Sequence, residues 1–240
     1  MQLAPTAESA PQAVKTVVAG LLKGVSCPPT DLEQLARRLN VQAIRFEDLP
    51  ISGQLRRSGK GFEIICSSWV NGGRRQFTIA HEIGHAIFES TGPRCPQSGR
   101  ELERLCDMLA TEILMPEEHF LRAVGPEISI NGIRKTSRLF KTSLSATAIR
   151  CVELRRISVF ETDDEKIVWS YGAVKRGPIA TVDSALQPII EAARRGASGQ
   201  EEIYMSLKST VRKWRIEYTP LGAGRSLFLL QSIPMFQRSA

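Results

Sequence analysis

The chain switches several times between a helical period and a strand period, and the switches mark its elements. Residues 12–23 place apolar side chains at helical spacing and predict an amphipathic helix that "GVSCPP" ends. "TDLEQLARRLN" predicts a second helix, with Thr30 or Asp31 as its N-cap. "VQAIRFEDL", "ISGQLRRS" and "GFEIICSS" alternate or run apolar between Gly, Pro and Ser, and predict three short strands. "QFTIAHEIGHAIFE", Gln76 to Glu89, returns to helical spacing. "TGPRCPQSG" predicts a loop, and "RELERLCDMLATEILM" a helix stopped by Pro116.

Beyond "PEEHFLRAVGPEIS" the composition shifts. "INGIRKTSRLFKTSLSATAIRCVELRR" predicts two short helices broken around "KTS", with Ser143 capping the second. From Ile157 the pattern is strand-like, in "ISVFET", "EKIVWSYG", "RKWRIEYTPL" and "RSLFLLQSI". One helix, "SALQPIIEAARRG", lies among these strands and is expected to be interrupted by Pro188.

Bulk properties narrow the class. At 240 residues, 42% apolar and 24% charged, the chain resembles an ordinary soluble protein able to bury a core. It has no apolar run of the ~18 residues a membrane span needs, and its start lacks a secretory pattern. Five scattered cysteines without a CxxC pair point to free thiols in a reducing cytoplasm. A net charge of +7 fits contact with something acidic and equally fits a solvated basic surface.

Two of the three histidines, His81 and His85, stand four residues apart with Glu82 between them. At about 100° per residue all three project within one third of a helix circumference, opposite Ile79, Ile83 and Ala86. Two imidazoles one turn apart can share a cation, and Glu82 can then take a proton from water held there. Gly84, costly inside a helix, signals close approach by a neighbouring element. A hydrolytic zinc site needs a third protein ligand. The next helix carries Glu103 and Asp107 in one polar patch beside an apolar stripe. Glu103 can complete a His₂Glu set, and Asp107 can accept the distal N–H of a ligating histidine. Glu101 competes for the ligand role but starts the helix, where it complements the dipole. The same donors accept zinc or manganese.

"RRQFTIAHEIGHAIF" followed by "LERLCDMLATEILMP" resembles the ImmA/IrrE family of regulatory metallopeptidases. The likeness runs over roughly residues 25–155. It implies a small zincin-like fold of the thermolysin type, with His81, His85 and Glu103 as metal ligands and Glu82 as general base. It also implies a substrate, a helix-turn-helix repressor of the Xre type, whose cleavage releases stress-response or mobile-element genes. The oxyanion-stabilising residue stays open among His119, Tyr171, Tyr204 and Tyr218.

From Asn131 to Arg156 seven Lys or Arg stand against one acid, Glu153, which makes the predicted helix pair helix-turn-helix-like. Base-reading Asn and Gln are absent from "SATAIRCVELRR", so a docking surface for a repressor is favoured over direct DNA binding. "GFEIICSS" is the strand expected to pair with an extended substrate. The expected class is α+β: a leader and helix over 1–25 and a zincin-like metallopeptidase domain over 26–126. A helix-turn-helix-like segment over 127–156 and a small α+β region over 157–240, a shortened GAF-like unit, follow. The function expected is that of a zinc endopeptidase; the rival is a non-catalytic regulator holding a structural metal.

Overall fold

The computed structural model of the protein describes residues 10–91, 99–155, 157–164, 166–174, 177–178, 182–207 and 210–233. It is an α+β protein divided into two compact units. One runs up to Val124 and includes Lys135–Ser143; the other holds Gly125–Arg134 and everything from Leu144.

The first unit begins with α1 (Ala10–Leu21) and α2 (Leu32–Arg38). Asp31 is the N-cap of α2 and accepts a hydrogen bond from the Gln34 amide at 2.8 Å, an arrangement worth about 1 kcal/mol. Thr30 instead donates to the Ile113 carbonyl at 2.7 Å. Strands β1 (Val41–Glu47), β2 (Gly53–Ser58) and β3 (Gly61–Ser67) form a sheet in the order β1-β3-β2. β3 lies parallel to β1 and antiparallel to β2, with Ile64 facing Ile44 on one side and Leu55 on the other. Its near-continuous burial follows from that central place.

Helix α3 (Gly72–Thr91) packs on β2 and β3, and α4 (Arg100–Leu114) packs along α3. Ile64, Ile65, Ile83 and Ile113 are fully buried in this unit. α4 ends at the Met115 C-cap, before Pro116. The Glu112 carboxylate then accepts the Glu117 amide at 2.9 Å, at the start of α5 (Glu117–Val124). Helices α6 (Ile130–Phe140) and α7 (Leu144–Leu154) flank "KTS", as the sequence predicts. The Thr142–Ser143 backbone lies so close to Gly73 that a side chain there would collide with it.

In the second unit β4 (Ser158–Asp163), β5 (Lys166–Tyr171), β6 (Gly177–Pro178), β7 (Gly199–Leu207), β8 (Thr210–Gly222) and β9 (Arg225–Ile233) make one antiparallel sheet. The order is β6-β5-β4-β9-β8-β7. α8 (Gln187–Arg194) covers one face, burying Ile189, Ile190 and Ala193 among Phe160, Ile216 and Phe228. Pro188 does not interrupt this helix. It sits in the first turn, where its missing N–H costs nothing. The sequence pattern also misses β7, whose outer-edge positions carry Glu201, Glu202 and the exposed Tyr204. Among the described residues no helix is long and apolar enough to cross a membrane.

Candidate metal centre

α3 is amphipathic in the sense its sequence predicts: Ile79, Ile83 and Ala86 are buried, and His81, Glu82 and His85 occupy the other side. α4 approaches α3 at Gly84, where an added methyl would lie 3.2 Å from the Cys106 Cα. Glycine thereby brings the first two turns of α4 beside the histidines.

Three side chains converge across the two helices. His81 Nε2 lies 3.2 Å from Glu103 Oε2, His85 Nε2 lies 3.6 Å from Glu103 Oε1, and the two Nε2 atoms are 3.2 Å apart. His81 Nδ1 is 2.9 Å from Asp107 Oδ1. A carboxylate only accepts, so Nδ1 carries a proton, and a cation held between the two imidazoles would meet the Nε2 lone pair of His81. Two ring nitrogens and a carboxylate meeting around one point are a donor set suited to a divalent cation, with Asp107 setting the tautomer from behind.

The local electrostatics have separate causes. Burial alone would pull His81 down, but its hydrogen bond to Asp107 and the charges of Glu82, Asp107 and Glu103 outweigh it and push the ring up. Burial and the neighbouring His81 push His85 down. Glu82 is 6% exposed, and burial drives its carboxyl up to about 7; Glu103 adds to the rise, while His81 and a hydrogen bond from the Leu55 backbone oppose it. That last contact brings β2 into the site. β2 can lie this near α3 because residue 53 is glycine: a side chain there would strike the Thr78 methyl and come within 3.3 Å of Glu82 Oε1.

These groups open into a cleft of about 740 Å³, walled by Leu55, Phe62, Phe77 and Thr78 and flanked by Arg57 and Arg74. β3 contributes only Phe62 to the cleft, and β2 supplies Gly53, Gln54, Leu55 and Arg57. β3 has a neighbour on each side and no edge to offer, so the expectation that "GFEIICSS" receives an extended segment is corrected: β2 is the strand with a free edge at the cleft.

The sequence reading missed Cys106. Its thiol belongs to a group with His81 and His85 in which the ligand atoms lie within 4.8 Å of one another. Two donors thus compete for the third position. Burial pushes the Cys106 thiol far up, and Glu103, Glu82 and Asp107 push it further, against the thiolate that metal binding needs. Glu103, by contrast, faces both imidazoles and is half-exposed. Of the oxyanion candidates, His119 lines a groove along α1, and Tyr171, Tyr204 and Tyr218 are on strands of the second unit.

The family model for the IrrE N-terminal-like domain matches residues 31–152, the stretch that carries both helices and the three-stranded sheet. The chain belongs to this peptidase family. Its IrrE-like domain is accordingly metallopeptidase-like, of zincin-like fold, in a family that depends on a metal. Among solved structures, a Mycobacterium tuberculosis transcriptional regulator is similar in fold, with a TM-score of 0.63 at 16% identity. The match covers 93% of this chain and 76% of that one. No curated protein matches the chain.

Proposed function

We infer that the protein is a zinc endopeptidase that cuts a specific protein substrate, a helix-turn-helix repressor of the Xre type, and so derepresses the genes it silences. The observation carrying this reading is the convergence of His81, His85 and Glu103 beside a buried, protonatable Glu82 at a free strand edge. His81, His85 and Glu103 would hold the ion. Bound there, zinc supplies Lewis-acid polarisation of a carbonyl and acidifies water. Manganese suits the same donors.

The chain's own residues do the rest. Glu82, buried beside His81 and His85 at the cleft, takes the proton of the attacking water and returns it to the leaving amine. Asp107 keeps His81 in the tautomer whose Nε2 lone pair points inward. The β2 edge receives an extended substrate segment by strand addition, which aligns its peptide groups along α3. Likeness to a transcriptional regulator fits a substrate drawn from gene control. The exposed bases Lys135, Arg138 and Lys141, on and just after α6, serve as a docking surface for the repressor in preference to DNA; Arg150, the one base of α7, is buried and pairs with Glu153. The second unit, an antiparallel sheet with one covered face, is a shortened GAF-like region. Free Cys27, Cys66, Cys106 and Cys151 support a cytoplasmic setting.

The test is co-incubation with the Xre-type repressors encoded nearby, with and without chelator, followed by mass analysis of fragments. Cleavage should need metal and vanish in Glu82→Gln, which should still hold zinc; cleavage by that variant contradicts the mechanism. One observation favours a second reading: Cys106 near the histidines could complete a closed, structural site in a non-catalytic regulator that binds a repressor or DNA. Salt-dependent DNA binding with no proteolysis would support it.

A further inference from the structure

Large apolar side chains are exposed at few places among the described residues, and three of them lie around the start of α3, with Ile51 at the cleft. Phe46, Ile51 and Trp69 are 51%, 52% and 48% exposed. Single exposed apolar residues are ordinary, but a cluster asks for a partner. Two arginines bind this cluster together. The Arg74 guanidinium stacks 5.2 Å from the Trp69 ring centre and reaches Ser52 Oγ at 3.3 Å; that of Arg75 lies 4.8 Å from the Phe46 ring centre. Trp69 Nε1 donates to the Leu49 carbonyl at 3.0 Å and Arg75 Nε to the Val70 carbonyl at 2.8 Å, so indole and guanidinium are held in place before any partner arrives. Ile51, Ser52 and Arg74 also line the cleft, which makes the patch continuous with it.

We propose that Phe46, Ile51, Trp69, Arg74 and Arg75 form a docking patch for the protein substrate, taking a segment with a bulky apolar residue next to a carboxylate. The proposal rests on the reading of the cleft as peptide-binding. Tryptophan and arginine are the side chains that most often anchor protein interfaces, and a stacked guanidinium keeps planar donors that match a carboxylate. The patch also fixes which part of the substrate it meets. β2 starts beside it at Gly53 and runs toward Arg57, whose side chain pairs with Glu89 further along α3. A segment pairing antiparallel with β2 runs the other way and reaches the patch with residues C-terminal to the scissile bond. The preference is therefore one-sided.

The experiment measures anisotropy of fluorescein-labelled twelve-residue alanine–glutamine peptides on zinc-loaded Glu82→Gln protein, which binds without cutting. The peptides carry Phe-Asp, Phe-Lys or Ala-Ala near the C-terminal end, or Phe-Asp near the N-terminal end. The C-terminal Phe-Asp peptide should bind roughly tenfold tighter than the others, a difference of about 1.4 kcal/mol. Trp69→Ala and Arg74→Gln, each at an exposed position and each with unchanged zinc content, should abolish that preference. Equal binding of all four peptides overturns the patch and leaves the cleft reading standing; binding of none overturns both. A single-stranded oligothymidine that binds through Trp69 while the peptides are not told apart also overturns it, since the patch would then be a nucleic-acid surface.

Discussion

Replacing Glu82 by glutamine should make the metal-free protein more stable, by an amount that grows with pH. Glu82 is 6% exposed, and its carboxyl stands at about 7 in the folded chain against 4.5 for the unperturbed group. Below pH 4.5 the carboxyl is protonated folded and unfolded alike, and no penalty arises. As pH rises toward 7 the unfolded chain releases this proton while the folded chain keeps it, so stability falls until both forms are ionised. At about 1.4 kcal/mol per pH unit over that interval the loss reaches about 3 kcal/mol. Glutamine keeps an oxygen to accept the Leu55 amide but has no charge to bury. Glu82→Gln should therefore match the parent near pH 4.5 and exceed it by about 3 kcal/mol at pH 8. The two units can unfold separately, so a signal from the first is needed. With 5-fluorotryptophan incorporated, the Trp69 fluorine resonance followed through urea titrations of chelator-treated protein supplies it, since Trp169 and Trp214 lie in the second unit. A pH-independent difference, or one that shrinks as pH rises, would refute the argument that burial of this carboxyl is costly.

Asp107→Ala should free the His81 ring to adopt the wrong tautomer and weaken zinc binding by roughly 10- to 100-fold, read by competition with a calibrated chelator; unchanged affinity would remove Asp107 from the site. Gly84→Ala sets a propensity gain of about 1 kcal/mol against overpacking of about 1–3 kcal/mol. Because the methyl meets the Cys106 backbone, which yields little, the variant should melt lower than the parent; a higher melting temperature would show that the α3–α4 contact is loose.

Much of this site is legible in the sequence because its logic is local. The His81–Glu82–His85 spacing, the apolar stripe behind it, the polar patch of Glu103 and Asp107 on a second amphipathic helix, and a glycine out of place at 84 are each readable within two turns of helix. What stays hidden is set by pairing between distant segments. β3 reads plainly as a strand, yet nothing in "GFEIICSS" says that it lies between β1 and β2, leaving β2 as the edge. β7 escapes notice because an edge strand puts charges such as Glu201 and Glu202 among its few buried positions. Pro188 reads as a break when its partners are unknown and as a first-turn residue once α8 begins at Gln187. Cys106 faces the histidines only because Gly84 lets the two helices meet there.

X-ray absorption at the zinc edge of the metal-loaded protein tests the central claim most directly. The account predicts a first shell of nitrogen and oxygen only, at roughly 2.0–2.2 Å, from His81, His85, Glu103 and a solvent oxygen. A sulfur scatterer near 2.3 Å, lost in Cys106→Ala, would contradict it, because the thiol would then close the site that hydrolysis needs open.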